Sequence, residues 1–219
     1  MFDFFKKNKK EKSGTEAAFE VKGSHGSAIR NEEEMAGIDK DIADNAFKTN
    51  KKILDEHLKT KGFCKHGTST YVRLNSINVM EIINLQKECY GSKTFTVNIS
   101  IMPLYLKRDH LVFGFSNRLG VIAADYDVWW DFATDEIAKI SFENVIEAVD
   151  RFAIPWFESF CDQEYLKGRL SEDKKNGTIS RYGLEWLDAV DSYDSSEEVI
   201  RANIEKLKLP KSFLKSIDR

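Results

Sequence analysis

The stretch from Thr94 to Met102 constrains this chain more than any other. Phe95, Val97, Ile99 and Ile101 alternate with Thr94, Thr96, Asn98 and Ser100. A period of two sends successive side chains to opposite faces of an extended strand. One apolar set and one polar set mark an antiparallel sheet with a single buried face. Pro103 lacks the N–H a ladder needs, so it ends the strand or places it at an edge. The run from Val79 to Lys87 reads as a partner strand. There Glu81, Ile83 and Leu85 alternate with Met80, Ile82, Asn84 and Gln86, and turn signals at Asn75 to Asn78 and at Tyr90-Gly91-Ser92 bound it. Tyr71 to Leu74 is a shorter strand. Leu111 to Phe115 and Arg118 to Ala123 are expected as further ones.

Helical patterns bracket these strands. From about Ile42 to Lys61, Ala43, Ala46, Phe47, Ile53, Leu54, His57 and Leu58 form one apolar stripe. Gly62 stands where a left-handed residue closes a helix, and Phe63 can fold back onto Leu58. A second long helix is predicted over Ser141 to Phe160, with Phe142, Val145, Ile146, Val149, Phe152, Trp156, Phe157 and Phe160 as its stripe. Pro155 should kink or restart it. Beyond it, Leu184, Leu187 and Val190 pattern one helix. Ser195 with Glu198 starts another through a capping box, and Pro210 opens a last turn. The expected fold is α+β: an N-terminal helix, a four- or five-stranded antiparallel sheet, a long helix packed on the same face, and a helical tail. Residues 1–40 read as a flexible extension, because their apolar residues are sparse and aperiodic and cannot offset the entropy of ordering; a short helix is expected near 31–35. Residues 41–168 read as the α+β domain and 169–219 as the tail.

Charge and cysteine usage narrow the function classes. A formal net charge of −3 lacks the basic excess of a nucleic-acid binder, although the first dozen residues are basic and the stretch from Glu172 to Glu198 is acidic. No apolar run reaches transmembrane length. The apolar residues at the N-terminus precede the lysines and are too few for a secretion signal. Three cysteines, Cys64, Cys89 and Cys161, form no Cys-x-x-Cys pair and fit reduced thiols in the cytoplasm.

Several motifs carry chemistry in principle. Cys64-Lys65-His66, with His57 and Cys89 elsewhere, offers metal-type ligands, but nothing in the spacing converges three or four of them. No metal and no cofactor are expected. Asp125, Asp127 and Asp131 lie close in sequence without a glycine-turned cation loop, and read as a solvated loop. Trp129 and Trp130 cannot both face one core if their segment is extended. Core positions for both in an irregular segment are the favoured reading, and a groove position keeps both among the binding candidates. The amides are the most informative group. If the two long strands pair, Asn84 and Gln86 share a face with Thr96 and Asn98, and amides donate and accept at fixed positions. No nucleophile elbow, dinucleotide fingerprint or phosphate loop is present.

Ile83-Asn84-Leu85-Gln86-Lys87, Tyr90-Gly91 and Phe95-Thr96-Val97-Asn98-Ile99 together resemble a bacterial family, the domain of unknown function family 4304. Lys61-Gly62-Phe63, Tyr71-Val72-Arg73, Arg118-Leu119-Gly120, Trp129-Trp130 and Pro155-Trp156-Phe157 extend the resemblance over roughly residues 43 to 165. It implies an α+β domain and no reaction. The expectation for function is a non-catalytic recognition module that binds protein or peptide through its polar sheet face, with Asn84, Gln86, Tyr90, Asn98, Arg118, Trp129 and Trp130 around the site. The alternatives are an enzyme acting on a small polar substrate around Asn84, Gln86, Tyr90 and Arg118, and a toxin-neutralising immunity protein.

Overall fold

The computed structural model of the chain describes residues 20, 22, 24, 25, 40–89, 91–113, 115–190 and 197–214. The region near 31–35, Tyr90 and Ser195 therefore lie outside the described residues. The strands are β1 (Ser24–His25), β2 (Cys64–His66), β3 (Thr70–Leu74), β4 (Val79–Lys87), β5 (Thr94–Pro103), β6 (Phe115–Arg118) and β7 (Val128–Asp131). The helices are α1 (Lys40–Thr60), α2 (Leu119–Ala124), α3 (Asp135–Ala148), α4 (Ile154–Glu158), α5 (Gln163–Lys175), α6 (Arg181–Val190) and α7 (Glu197–Lys206). Among the described residues the sheet has seven strands in the order β1-β7-β5-β4-β3-β2, with β6 also on β5. Every pairing is antiparallel. The class is α+β, with more strands than expected because β1, β2 and β7 are too short to show a period of two.

The apolar face of β5 meets helices α1 and α3. Phe95 stacks on Phe142 at 4.9 Å and meets Phe47 edge-on at 5.3 Å. Helix α1 ends as its sequence predicts: the Phe63 N–H donates to the Leu58 carbonyl (3.0 Å), the Gly62 N–H donates to that of Lys59 (3.1 Å), and Gly62 has φ +84°. This is the paired closure that only a residue free to turn left-handed makes cheaply. Helix α3 starts six residues earlier than its stripe suggests, because the Thr134 side chain accepts from the Ile137 N–H. Between α3 and α4, Val149–Ala153 forms a π turn. Pro155, with no N–H to give, then stands in the first turn of α4. The wider turn rotates the buried face: Ala153 is fully buried and Phe152 only half-buried.

The segment after β5 differs from the expected pair of strands. Leu111 to Phe113 is irregular, β6 stops at Arg118, and 119–124 is helical rather than extended. Both β6 and β7 lie along one edge of β5, at Asn98 to Ile101 and at Thr94 to Phe95. Helix α2 bridges them and needs Gly120. A Cβ there would sit 2.5 Å from both the Cβ and the backbone nitrogen of Val128. Gly120→Ala should therefore destabilise the fold by about 1–3 kcal/mol through overpacking, read as a lower urea midpoint; an unchanged midpoint would mean that α2 moves freely off β7.

The polar set of β5 was expected to face solvent, and most of it does not. Thr94, Thr96 and Ser100 are buried, and only Asn98 is half-exposed. Met80, Ile82 and Met102 share that face and are fully or almost fully buried. The C-terminal helices reach this half of the sheet. Trp186 and Gly183 join Met102 around a hollow with room for about one water, and Ser212 Oγ is 3.7 Å from Cys64 Sγ. Asn203 pins α7 to the chain leaving β5. Its Nδ2 donates to the Leu104 and Leu106 carbonyls (2.7 Å each), and its Oδ1 accepts from the Arg108 N–H (3.1 Å).

Candidate functional site

The part of that face left uncovered is polar, and register explains why. Cross-strand partners in an antiparallel ladder point to the same side. His66 pairs with Thr70, Thr70 with Asn84, Asn84 with Asn98, and Asn98 with Arg118. One straight row of five polar side chains thus crosses β2, β3, β4, β5 and β6. Each member is half-buried. At the strand spacing of about 4.8 Å the row is about 19 Å long. Gln86 lies beside it, opposite Thr96, and is exposed.

The row is wired through its side chains. Asn98 Nδ2 donates to Gln86 Oε1 (3.1 Å) and, at the long distance of 3.4 Å, to Asn84 Oδ1. Asn84 Nδ2 donates to Thr70 Oγ1 (3.0 Å) and reaches the Ser69 carbonyl at 3.4 Å. These bonds use the donors of Asn98 and the acceptor of Gln86. Asn98 Oδ1 and Gln86 Nε2 have no protein partner among the described residues. One open acceptor and one open donor are therefore held in place by a network that orients them.

The end of the row at β6 is built differently. The Arg118 guanidinium lies 5.1 Å from the centre of the Trp129 ring and donates to Asp127 at 3.3 Å. Trp129 Nε1 also donates to Asp127, at 3.1 Å. The two tryptophans sit in a strand and diverge as adjacent residues in a strand must. Trp130 is fully buried on the helix side, against Phe95, with its Nε1 on Asn144 Oδ1. Trp129 shares the face of the row but is only 8% exposed. The expected irregular segment is thus β7, and neither tryptophan is an exposed groove aromatic. Trp130 drops out of the site, and Trp129 supports Arg118. Tyr90 lies outside the described residues.

Two further polar groupings lie on the helix side. Glu81 is buried and receives Arg73 Nε at 2.5 Å. Burial pushes its carboxyl above the usual range, with Arg73 opposing. Burial likewise raises the nearby Cys161 thiol, with Glu81 adding to the effect. Such a thiol is poorly ionised and a weak nucleophile. Asp55 accepts from Lys51 (2.7 Å), Lys65 (2.9 Å) and the Tyr71 hydroxyl. Burial acts to raise the Asp55 carboxyl, but those three donors outweigh it and hold it low. Among the described residues, no group of three or more His, Cys, Asp or Glu side chains could hold a metal ion, and no helix is long and apolar enough to cross a membrane.

His66 and Thr70 are the members of the row that sequence reasoning missed. Their three- and five-residue strands are too short to fix a register from alternation. Only the hairpin around Gly67, at φ +75°, sets it.

Comparison with known proteins places the row inside a family segment. Residues 54–159 match the family described as Domain of unknown function (DUF4304). Every member of the polar row falls within this DUF4304 segment, as do Gly62, Gly120 and Pro155. The covering helices α5, α6 and α7 lie beyond it. No curated protein and no solved structure matches the chain.

Proposed function

We propose that the protein is a non-catalytic recognition module that binds an extended polar segment of a protein or peptide along the row from His66 to Arg118. The observation that carries this reading is the pair of open amide groups, Asn98 Oδ1 and Gln86 Nε2. They are fixed by neighbouring side chains rather than consumed by the backbone. An ordinary solvated face needs no oriented amides, whereas recognition gains from a donor and an acceptor at set positions. The row's length accommodates about six residues of extended chain. Its groups are amides, a hydroxyl, an imidazole and a guanidinium, a set suited to hydrogen bonding more than to moving protons, His66 excepted. That favours binding over the enzymatic alternative.

Peptides selected from a random display library on the native protein should shift the side-chain NH₂ resonances of Asn84, Gln86 and Asn98. Asn98→Ala should weaken their binding by about tenfold, the worth of one well-placed polar contact. Shifts confined to other parts of the sheet, or equal binding by the variant, would remove the row from consideration.

A further inference from the structure

The two ends of the polar row differ, and the end at β6 carries a fixed charge. The Arg118 guanidinium lies over the Trp129 ring, 5.1 Å from its centre, and the side chain is 32% exposed. Its contact with Asp127 uses a single nitrogen: Nη1 is 3.3 Å from Oδ1 and 3.3 Å from Oδ2. A charge-assisted bond of full strength is about 2.7–2.9 Å long, and a carboxylate that takes a guanidinium squarely accepts from two nitrogens at once. Asp127 also accepts from the Trp129 indole, at 3.1 Å. It therefore steadies Arg118 without filling the fork formed by Nε and Nη2. Those two nitrogens have no protein partner among the described residues. Stacking and one tether hold the group in place, so little freedom is lost when the fork is filled. In the ladder Arg118 stands opposite Asn98, whose Oδ1 is the open acceptor of the row.

We propose that the Nε–Nη2 fork of Arg118 binds a carboxylate of the partner segment, while Asn98 Oδ1 accepts an N–H from the same segment one strand spacing away, about 4.8 Å. This rests on the row being the binding surface, and it gives the bound segment a direction, with its carboxylate toward β6. A planar, singly charged carboxylate matches the fork. A phosphate monoester is close to a dianion and does not. Arg118 is the row's one permanent cation, Asp127 already offsets part of its charge, and His66 stands at the other end, about 19 Å away. Sites for phosphorylated segments use clusters of Arg instead. An Asp or Glu side chain and a free chain end supply the same group.

The test uses the full chain and hexapeptides selected on it from a random library. Each is synthesised with a free or an amidated C-terminus, and with every Asp or Glu either kept or replaced by Asn or Gln. On the native protein, removing one carboxylate should weaken binding about tenfold or more. The Nε–H resonance of Arg118 should move together with the side-chain NH₂ resonances of Asn84 and Asn98. Whichever removal has that effect identifies the source, side chain or chain end. On Arg118→Gln the charged and neutral forms should bind alike. Arg118→Lys keeps the charge and the stem but not the fork, so the preference should fall without vanishing; this variant carries the test if Arg118→Gln does not fold. Peptides that move the row's amides yet bind equally well without any carboxylate would overturn the carboxylate assignment and leave the row as a binding surface. A preference unchanged on Arg118→Gln, or tighter binding with phosphoserine in place of the acidic residue, would do the same. Peptides that leave the row's amides unmoved would overturn both readings.

Discussion

Arg73→Ala is expected to cost about 3 kcal/mol at pH 7, because it strands a charge inside the protein. Glu81 is 1% exposed, and Arg73 is its ion-pair partner at 2.5 Å. Arg73 also donates to the Lys61 carbonyl at 2.9 Å and lies over the Phe63 ring at 4.7 Å, so the same loss loosens the closure of α1. The pH dependence gives the charge a separate signature. Burial raises the folded-state pKa of Glu81. A carboxyl so shifted holds its proton more tightly when folded, so its contribution favours the folded state below the ordinary carboxylate range and is lost as the pH climbs through the raised value. Removing Arg73 takes away the group that opposes the shift. The deficit of the variant, measured by urea unfolding, should therefore shrink between neutrality and about pH 5. A deficit that stays constant over that interval would mean that Glu81 carries no buried charge.

Ile99→Ala should cost about 2–5 kcal/mol, the range for truncating a buried aliphatic side chain, since Ile99 is fully buried at the centre of β5. Thr96, on the other face of the same strand, should behave in the opposite sense. Thr96 is equally buried, and its Oγ1 has no hydrogen-bond partner. A buried hydroxyl without a partner costs about 1–3 kcal/mol, so Thr96→Val should raise stability by up to that amount. Parallel chemical denaturation of the two variants reads both signs. A loss at Thr96 comparable to that at Ile99 would show that the hydroxyl is satisfied in solution.

Where the sequence was legible, strong local signals agreed with the tertiary structure. The β4 and β5 strands, the Gly62 closure and the Pro155 restart each depend on a few neighbouring residues, and each is present in the fold. The departures have tertiary causes. Thr96 and Ser100 look solvent-facing by period, yet both are buried: Ser100 donates to the Phe115 carbonyl of β6 at 2.9 Å, and α2 packs along β5. Arg118 to Ala123 was expected as a strand, but 119–124 is a helix, whose Gly120 approaches Val128 closely. The amide face was visible as alternation. Its extension through Thr70 to His66 was not, because a row across five strands is a property of register, and register between distant segments leaves no trace in composition.

If Asn84, Gln86 and Asn98 are kept for binding, as proposed, the fold does not need them. The most direct test needs no ligand: urea unfolding of a variant with all three replaced by alanine. Two of the four bonds among them and their neighbours are as long as 3.4 Å, Gln86 is exposed and the others are half-exposed. Residues held for recognition tend to add little stability. A native fold and a change of less than about 1 kcal/mol are expected. A loss of about 3 kcal/mol or more, the size expected when a buried polar network is broken, would contradict it and make the row a structural element of the sheet.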